Sequence, residues 1–327
     1  MSNVVYNPKV PGEHEISVTV RGEHLPDSPT CVNVKKGHVD YNEKVTRCLT
    51  FAHRGKAPGC LVQPRDVAVR NNGDILVADT LNHRVQIFNS KGKFVACFGG
   101  GKGRGLGQLS FPSGIAISPH CHVIVSDHGN HRVQIFSSNG VFLRSFGGHG
   151  DTKGLMDHPT GIAVDEEGHI VVVDQYNHRV QMFDQNGVFI RQFGCYGNKD
   201  GQLDRPMYVA ITPDGDIVVT DSGNHRVQVF DVDGRHRETF GQRGTKDGEF
   251  YNPTGITIDA SGYVVVSDQT AGIQIFKPDL EFAMKLVPRS VDKLESPMGL
   301  DYTPEGQIVA VDKGRSNVKI FYPEKLK

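Results

Sequence analysis

Six aspartates, Asp79, Asp127, Asp174, Asp221, Asp268 and Asp312, recur at intervals of 48, 47, 47, 47 and 44 residues. A proline stands 15 residues ahead of each one, at Pro64, Pro112, Pro159, Pro206, Pro253 and Pro297. A fixed period of this size constrains the fold more than any other feature of the chain. Each period must be one supersecondary unit that buries its apolar surface only against its neighbours. In the unit that begins at Pro159, PTGIAVDEEGHIVVVDQYNHRVQMFDQNGVFIRQFG, four short runs rich in Val, Ile and Phe alternate with turn residues. That is the pattern of strands in a meander, and we denote the strands a to d.

A glycine falls nine residues past the proline, in the a to b turn, at Gly73, Gly168, Gly215, Gly262 and Gly306, with Cys121 in that place in the second unit. Gly92, Gly140, Gly187 and Gly234 mark the c to d turn, with Leu280 as the exception in the fifth. Both are hairpin positions that call for a positive φ. A four-stranded antiparallel unit repeated at this length reads as the blade of a β-propeller, because a ring of blades covers both apolar faces of every sheet and leaves only short edges.

The ring's closure is also legible. The last unit supplies strand a (MGLDYT), strand b (QIVAVD) and strand c (VKIFYP) but no strand d before Lys327, whereas VTRCLTF ahead of Pro64 has no a, b or c of its own. Phe51 lies 13 residues before its proline, as Phe146, Phe193 and Phe240 do. The expected fold is therefore all-β, a six-bladed propeller over residues 45–327 whose sixth blade is completed by the N-terminal strand from Val45 to Phe51.

Thirty-six basic against 37 acidic side chains give a formal net charge of -1. A globally basic nucleic-acid footprint is thereby excluded, and any such site must be local. Cys31, Cys48, Cys60, Cys97, Cys121 and Cys195 show neither CxxC spacing nor the density of a small disulfide scaffold, so reduced, structural thiols are expected. No apolar run approaches the ~20 residues of a membrane span, and the leading MSNVVYNPKV lacks the apolar centre of a signal peptide. A cytoplasmic, monomeric propeller without membrane association or a DNA partner is the expectation.

Residues 1–44 fall outside the repeat. There GEHEISVTVRGEHLPDSPTCVNV reads as two strands about a Gly/Pro/Asp turn, and its V-x-V-x-G-x-H-x-P-x-S-P pattern resembles the last hairpin of a filamin-type immunoglobulin-like domain. The earlier strands of such a sandwich are missing, so the segment is expected to be a C-terminal remnant and linker in a chain cut from a longer protein. The repeats resemble NHL repeats, whose most specific segment, D-x-x-N-H-R-[VI]-Q-[VIM]-F, stands here as DTLNHRVQIF, DHGNHRVQIF, DQYNHRVQMF and DSGNHRVQVF. A filamin-like hairpin ahead of six NHL repeats is similar to the C-terminal half of TRIM-NHL proteins, which carry a RING zinc domain, B-boxes and a coiled coil upstream. This resemblance implies two roles. One is RNA binding in translational repression and mRNA decay; the other is capture of protein partners for a ubiquitin ligase, whose activity would itself need a RING domain.

The spacing of D-x-x-N-H-R-V-Q puts Asp at the end of strand b, Asn and His in the b to c turn, and Arg at the start of strand c. Asp and Arg on either side of a tight turn pair, and Asn there bonds its own backbone, so the trio is expected to be structural. One reaction needs different groups converging on one substrate, and identical groups spaced around a ring do not provide that. The fifth and sixth units, DQTAGIQIF and DKGRSNVKIF, dispense with the trio. His83, His131, His178 and His225 occupy equivalent turns, so no metal, cofactor or catalytic residue is assigned, although related propellers include calcium-dependent lactonases and a metal-dependent amidating lyase.

In a four-stranded meander the d to a and b to c connections emerge on one face of the ring, and the a to b and c to d turns on the other. The first set carries Arg54, Lys56, Lys102 and Arg104, joined by Arg65 just after its proline and by Lys313 and Arg315 in a b to c turn. The second holds Asp74, Asp165, Glu166, Glu167, Asp214, Asp216, Asp231, Asp233, Asp259, Asp279 and Glu305 with few cations. The candidate RNA site is the basic face. Phosphates would sit on its seven cations, with affinity falling as salt rises, and the bases of a single-stranded or hairpin mRNA on His128, Tyr176 and Tyr208. A protein-recruitment surface is the alternative, to which the neutral overall charge is no obstacle.

Overall fold

The repeat folds as six four-stranded antiparallel sheets, each in the order a-b-c-d. The computed structural model describes residues 45–286 and 293–323, together with the backbone of four strands, Gly12–Ile16, Thr19–Val20, Glu23–His24 and Thr30–Val34. The third blade is representative, with strands Pro159–Val164, Ile170–Asp174, Arg179–Phe183 and Phe189–Phe193. Strand a of each blade lies against strand a of the next, and that of the sixth returns to that of the first. The circle is closed by the strand the sequence singled out. Val45–Phe51 pairs with Asn317–Pro323, with Val318 opposite Phe51 and Ile320 opposite Leu49. Lys319, buried in that sheet, donates from Nζ to Thr50 Oγ1 at 3.3 Å.

Burial is greatest in strand b and least in the outer strand d. Strand b is buried at every residue in all six blades. The outer strand d alternates, as Phe142–Gly147 does between half-buried and exposed. The core lies between blades: Ala68, Leu76, Ala78, Val85 and Ile87 of the first meet Leu109, Ile115, Val123, Val125 and Phe136 of the second. The same layer recurs between the third and fourth, and between the fifth and sixth. At about 1.5–3 kcal/mol for each buried aliphatic side chain, these layers are the main driving force, and no blade possesses one alone.

The hairpin turns keep their backbone where they change their residue. Cys121 and Leu280, the two exceptions to the glycine pattern, adopt φ of 60° and 65°. Of the expected filamin-like segment, Gly12–Ile16 pairs antiparallel with Thr30–Val34, and Thr19–Val20 with Glu23–His24. The rest of 1–44, including the expected linker, lies outside the described residues, as do Arg289 and Asp292 of the connection into the sixth blade. No described helix is long and apolar enough to cross a membrane.

Adjacent blades interlock through a phenylalanine of strand d. Phe51 packs on Phe88 with ring centroids 5.1 Å apart, and a Cβ on Gly92 in the neighbouring c to d turn would fall 2.5 Å from its Cγ. Gly215 has a comparable φ of 89°, but a Cβ there meets nothing within 4 Å. Gly215→Ala is therefore expected to cost only the backbone strain, about 1–2 kcal/mol. Gly92→Ala should cost about 1–3 kcal/mol more from overpacking against the closing strand. Urea midpoints of the two variants measure the difference.

Candidate nucleic-acid interface

The recurring Asp-Asn-Arg-Gln set is one buried hydrogen-bond knot. Asp79, fully buried, accepts at Oδ2 from Arg84 Nε (2.8 Å), Asn82 Nδ2 (2.9 Å) and Gln86 Nε2 (3.0 Å), and at Oδ1 from the Val62 amide (2.8 Å). The donors reach further. Asn82 donates to Gly55 O, Arg84 to Ala57 O and Cys60 O, and Gln86 to Cys60 O. The d to a connection is thereby stapled to the b to c turn. The same knot recurs at Asp127, Asp174 and Asp221, each with its Arg at 2.8 Å. The expected Asp–Arg pair is present, but Asn bonds the carboxylate and the loop carbonyl, not its own backbone. In the fifth blade, backbone amides of Tyr251, Thr270 and Ala271 satisfy Asp268 in place of the missing side chains. Burial outweighs these bonds at Asp174, Asp221 and Asp268, and pushes their carboxyls up.

The histidine of the motif joins one blade to the next. It sits in the left-handed region, at φ 53–57°, as the residue that caps the C-terminus of a single-turn helix. His83 Nδ1 accepts the Phe111 amide (3.0 Å), and His131, His178 and His225 accept those of His158, Arg205 and Asn252. Each donor is the residue before the next blade's proline and is itself left-handed, at φ 46–62°. That conformation costs about 1–2 kcal/mol, which the hydrogen bond offsets. In the sixth blade, Ser316 stands in the histidine's place, and its Oγ accepts the Gln63 amide at 3.2 Å across the closure. An acceptor role needs an unprotonated Nδ1, and burial holds His83, His131 and His225 below the ordinary imidazole value.

The sequence-derived site residues divide between surface, channel mouth and core. Arg54, Lys56, Lys102 and Arg104 are exposed, with the Lys102 ammonium 5.3 Å above the Phe111 ring. Arg315 is also exposed and pairs with Glu295 at 3.4 Å. Arg65 and Lys313 are half-buried. Burial first, then the charge of Arg65, lowers Lys313, and the same Arg65 charge adds to the burial that lowers His128. His128 is a blade clamp and not an open stacking surface: its Nδ1 donates to Pro159 O at 3.1 Å, and its ring lies edge-on to His158. Tyr176 is half exposed, at 49%.

Tyr208 corrects the expectation. It is only 3% exposed and donates its hydroxyl to Arg65 O at 2.6 Å, on the opposite side of the ring. Strand a is the innermost strand, so the residue beside its start points across the axis and fills the channel. Three thiols expected to be structural, Cys97, Cys121 and Cys195, are exposed.

A second set of aromatics escaped the sequence reading. His149, Tyr196 and Arg243 occupy the position held by Arg54 and Lys102 in other blades, each bridged to the residue seven on. Their rings or charges lie over the motif histidines. His149 is 4.5 Å from His131, Tyr196 is 4.8 Å from His178, and Tyr251, stacked at 5.3 Å on His225, carries the Arg243 guanidinium at 5.4 Å. Aligning the blades at that one variable position would have exposed the row. On the opposite face, acidic residues shape turns: Asp165 Oδ1 accepts the Glu167 and His169 amides, and Asp259 those of Ser261 and Tyr263. Two of the cations there are paired, Arg191 with Asp233 and Arg237 with Asp216. A cavity of about 780 Å³ opens among them, rimmed by Asp165, Asp214, Asp259 and Asp301.

The NHL repeat family model matches residues 61–88, 109–136, 156–183 and 203–230. Over 91 residues the chain is 44% identical to E3 ubiquitin-protein ligase TRIM71 of Xenopus tropicalis, covering 28% of this chain and 11% of that protein. It is 32% identical over 93 residues to Protein lin-41 of Caenorhabditis elegans (28% and 8% covered) and 39% identical over 64 to Protein brain tumor of Drosophila melanogaster (20% and 6%). The matched stretches thus span about a tenth or less of these relatives. Among solved structures, a gluconolactonase from Xanthomonas campestris superimposes with TM-score 0.66 at 16% identity, covering 89% of this chain and 94% of that one. A streptogramin B lyase gives 0.60 at 11%, covering 85% and 98%. At such identities the likeness is one of fold alone.

Burial, Arg65 and His158 hold His128 down to about 3, whereas an unfolded histidine titrates near 6.5. Between those values the unfolded chain carries a proton that the folded chain refuses. Stability is thus fully present above about pH 6.5 and declines below it, by up to about 1.4 kcal/mol per pH unit for this residue. Asp66, whose buried carboxyl is pushed well up, works in the opposite sense, so the informative quantity is a difference between proteins. Between about pH 7.5 and pH 5.5 the urea midpoint of the wild type should fall more steeply than that of His128→Gln.

Proposed function

Because the chain is an NHL-repeat β-propeller of the TRIM-NHL type, we propose that it is the RNA-binding module of a cytoplasmic post-transcriptional regulator that acts in translational repression and mRNA decay. The observation that carries this reading is the division of one face into two arcs. Arg54, Lys56, Lys102 and Arg104 line its basic arc at the junctions of the sixth, first and second blades, and the half-buried Arg65 and Lys313 add their charges to it. The other arc carries the exposed Tyr176, Tyr196 and Tyr251 and the imidazole of His149. A strand laid across the face meets phosphate partners first and stacking surfaces next, the combination that binds unpaired RNA. The motif arginines are not assigned to it, since the Asp carboxylate takes their Nε and loop carbonyls take their Nη2.

Protein recruitment for a ubiquitin ligase remains the second reading. It is favoured by exposed Val141, Leu143, Val188 and Ile190 on neighbouring outer edges, and by the ligase named among the relatives.

Selection from a randomised RNA pool, followed by salt titration of the winners, separates the two. RNA binding should weaken at least tenfold in Arg54→Glu/Arg104→Glu. The slope of log K against log salt should become shallower by about 1.4, as two contacts to a single strand are lost. Lys91→Glu, on the opposite face, should leave both unchanged. An absence of enrichment at physiological salt would overturn the RNA reading and favour recruitment of protein.

A further inference from the structure

The junction between the second and third blades departs from the other junctions in its chemistry. Three side chains from separate segments converge there: His131 from the b to c turn of the second blade, and His149 and Asp157 from the two ends of the connection into the third. His131 Nδ1 lies 3.3 Å from Asp157 Oδ1, His149 Nε2 lies 3.8 Å from the same oxygen, and all three ligand atoms fall within 4.8 Å of one another. The edge of a tetrahedron with metal–ligand bonds near 2.05 Å is roughly 3.4 Å. Two imidazoles and one carboxylate therefore stand within small side-chain adjustments of a common centre.

The fold requires only one of the three. His131 is the blade staple, as His83, His178 and His225 are elsewhere. His149 occupies the position of Arg54, Lys102, Tyr196 and Arg243, and Asp157 that of Val62, Ser110, Asp204 and Tyr251. The next junction makes the comparison sharp. His178 and Asp204 lie 3.5 Å apart there, but Tyr196 replaces the second imidazole.

We propose that the junction of the second and third blades binds one divalent transition-metal ion of the zinc type through His131, His149 and Asp157, with a fourth position open to water or a phosphate oxygen. Imidazole with carboxylate selects zinc, cobalt, nickel or copper over calcium and magnesium, and three protein ligands with one open place is a known zinc arrangement. The ligands are held before the metal arrives. The Asp157 amide is fixed by Asp174 Oδ1 at 2.6 Å, His149 is bridged to Met156, and His158 Nδ1 donates to Asp157 Oδ1 at 2.6 Å, the kind of supporting hydrogen bond that orients a ligating carboxylate. His131 Nδ1 already accepts the His158 amide at 3.2 Å, so coordination exchanges a long hydrogen bond for a metal bond.

The test is independent of whether RNA binds. Tag-free chain is titrated with Zn²⁺ by calorimetry near pH 7.5, and with Co²⁺ while following the visible absorption of a tetrahedral site. One equivalent is expected, with affinity at least tenfold weaker in both His149→Ala and Asp157→Asn. His149 is 70% exposed, so its variant should melt with the wild type in the absence of metal, and a loss of affinity then reports on the ligand. Zinc binding retained in full by His149→Ala would belong to the exposed thiols of Cys97, Cys121 or Cys195 and would overturn the proposal, as would the lack of any saturable binding.

Discussion

The structure depends on a buried carboxylate at the end of each strand b. A blade is a simple meander, but the connection that carries the chain outward from strand d and back to the next strand a is long and poor in strand pairing. Left to itself it would expose its carbonyls and amides. In the first four blades the Asp carboxylate gathers three side-chain donors and one loop amide, and the far ends of those donors collect the loop's carbonyls, as Arg84, Asn82 and Gln86 do with Ala57, Cys60 and Gly55; in the last two, backbone amides take the donors' place. Removing such a charge from water is costly unless it is paired and fully hydrogen-bonded. The knot meets both conditions, and its partners are loop atoms, so the loop becomes as fixed as the sheet. What stands on that loop is thereby placed with the precision of a strand, although it lies on the surface.

Much of this was legible before any coordinates. The proline-to-aspartate interval announced the blades, and the missing strand d at one end with a surplus strand at the other announced the closure, because side-chain periodicity and count are local properties of a sequence. The fates of His83 and Tyr208 were not legible. Each is decided by a contact with a different blade, Phe111 in one case and Arg65 in the other, and no spacing within one repeat encodes a partner 28 or 143 residues away. The exposed aromatics had a weaker but real signal. Arg54, Lys102, His149, Tyr196 and Arg243 occupy one register of the repeat, and that register is variable in a molecule whose neighbouring positions barely change.

The ring also explains how a chain of almost zero net charge acquires two unlike faces. On the side of the a to b and c to d turns, Asp and Asn are used as turn formers whose carboxylates and amides fold back on local backbone, as Asp165, Asp184 and Asp231 do. Acidity there is a by-product of tight hairpins. On the other side, turn formation falls to the buried motif Asp, which is invisible to solvent, and so the surface is free to be basic. The polarity of the molecule thus follows from which turns are short.

The same logic locates function. A residue repeated from blade to blade is accounted for by what those blades must do: in the first four, Asn-His-Arg ties a loop, joins two sheets and satisfies a carboxylate. The residues that differ from blade to blade at positions the knot holds rigid are under no such obligation. Lys102 over Phe111, His149 against His131, Tyr196 against His178 and Arg243 over Tyr251 are four different chemistries on one scaffold site. A repeat that fixes equivalent platforms, five of them among the described residues, and varies what stands on them can read an extended, irregular ligand, one element per platform, without any change in fold. The selectivity of this face is therefore set by its departures from the repeat, and the motif that identifies the family serves to hold those departures still.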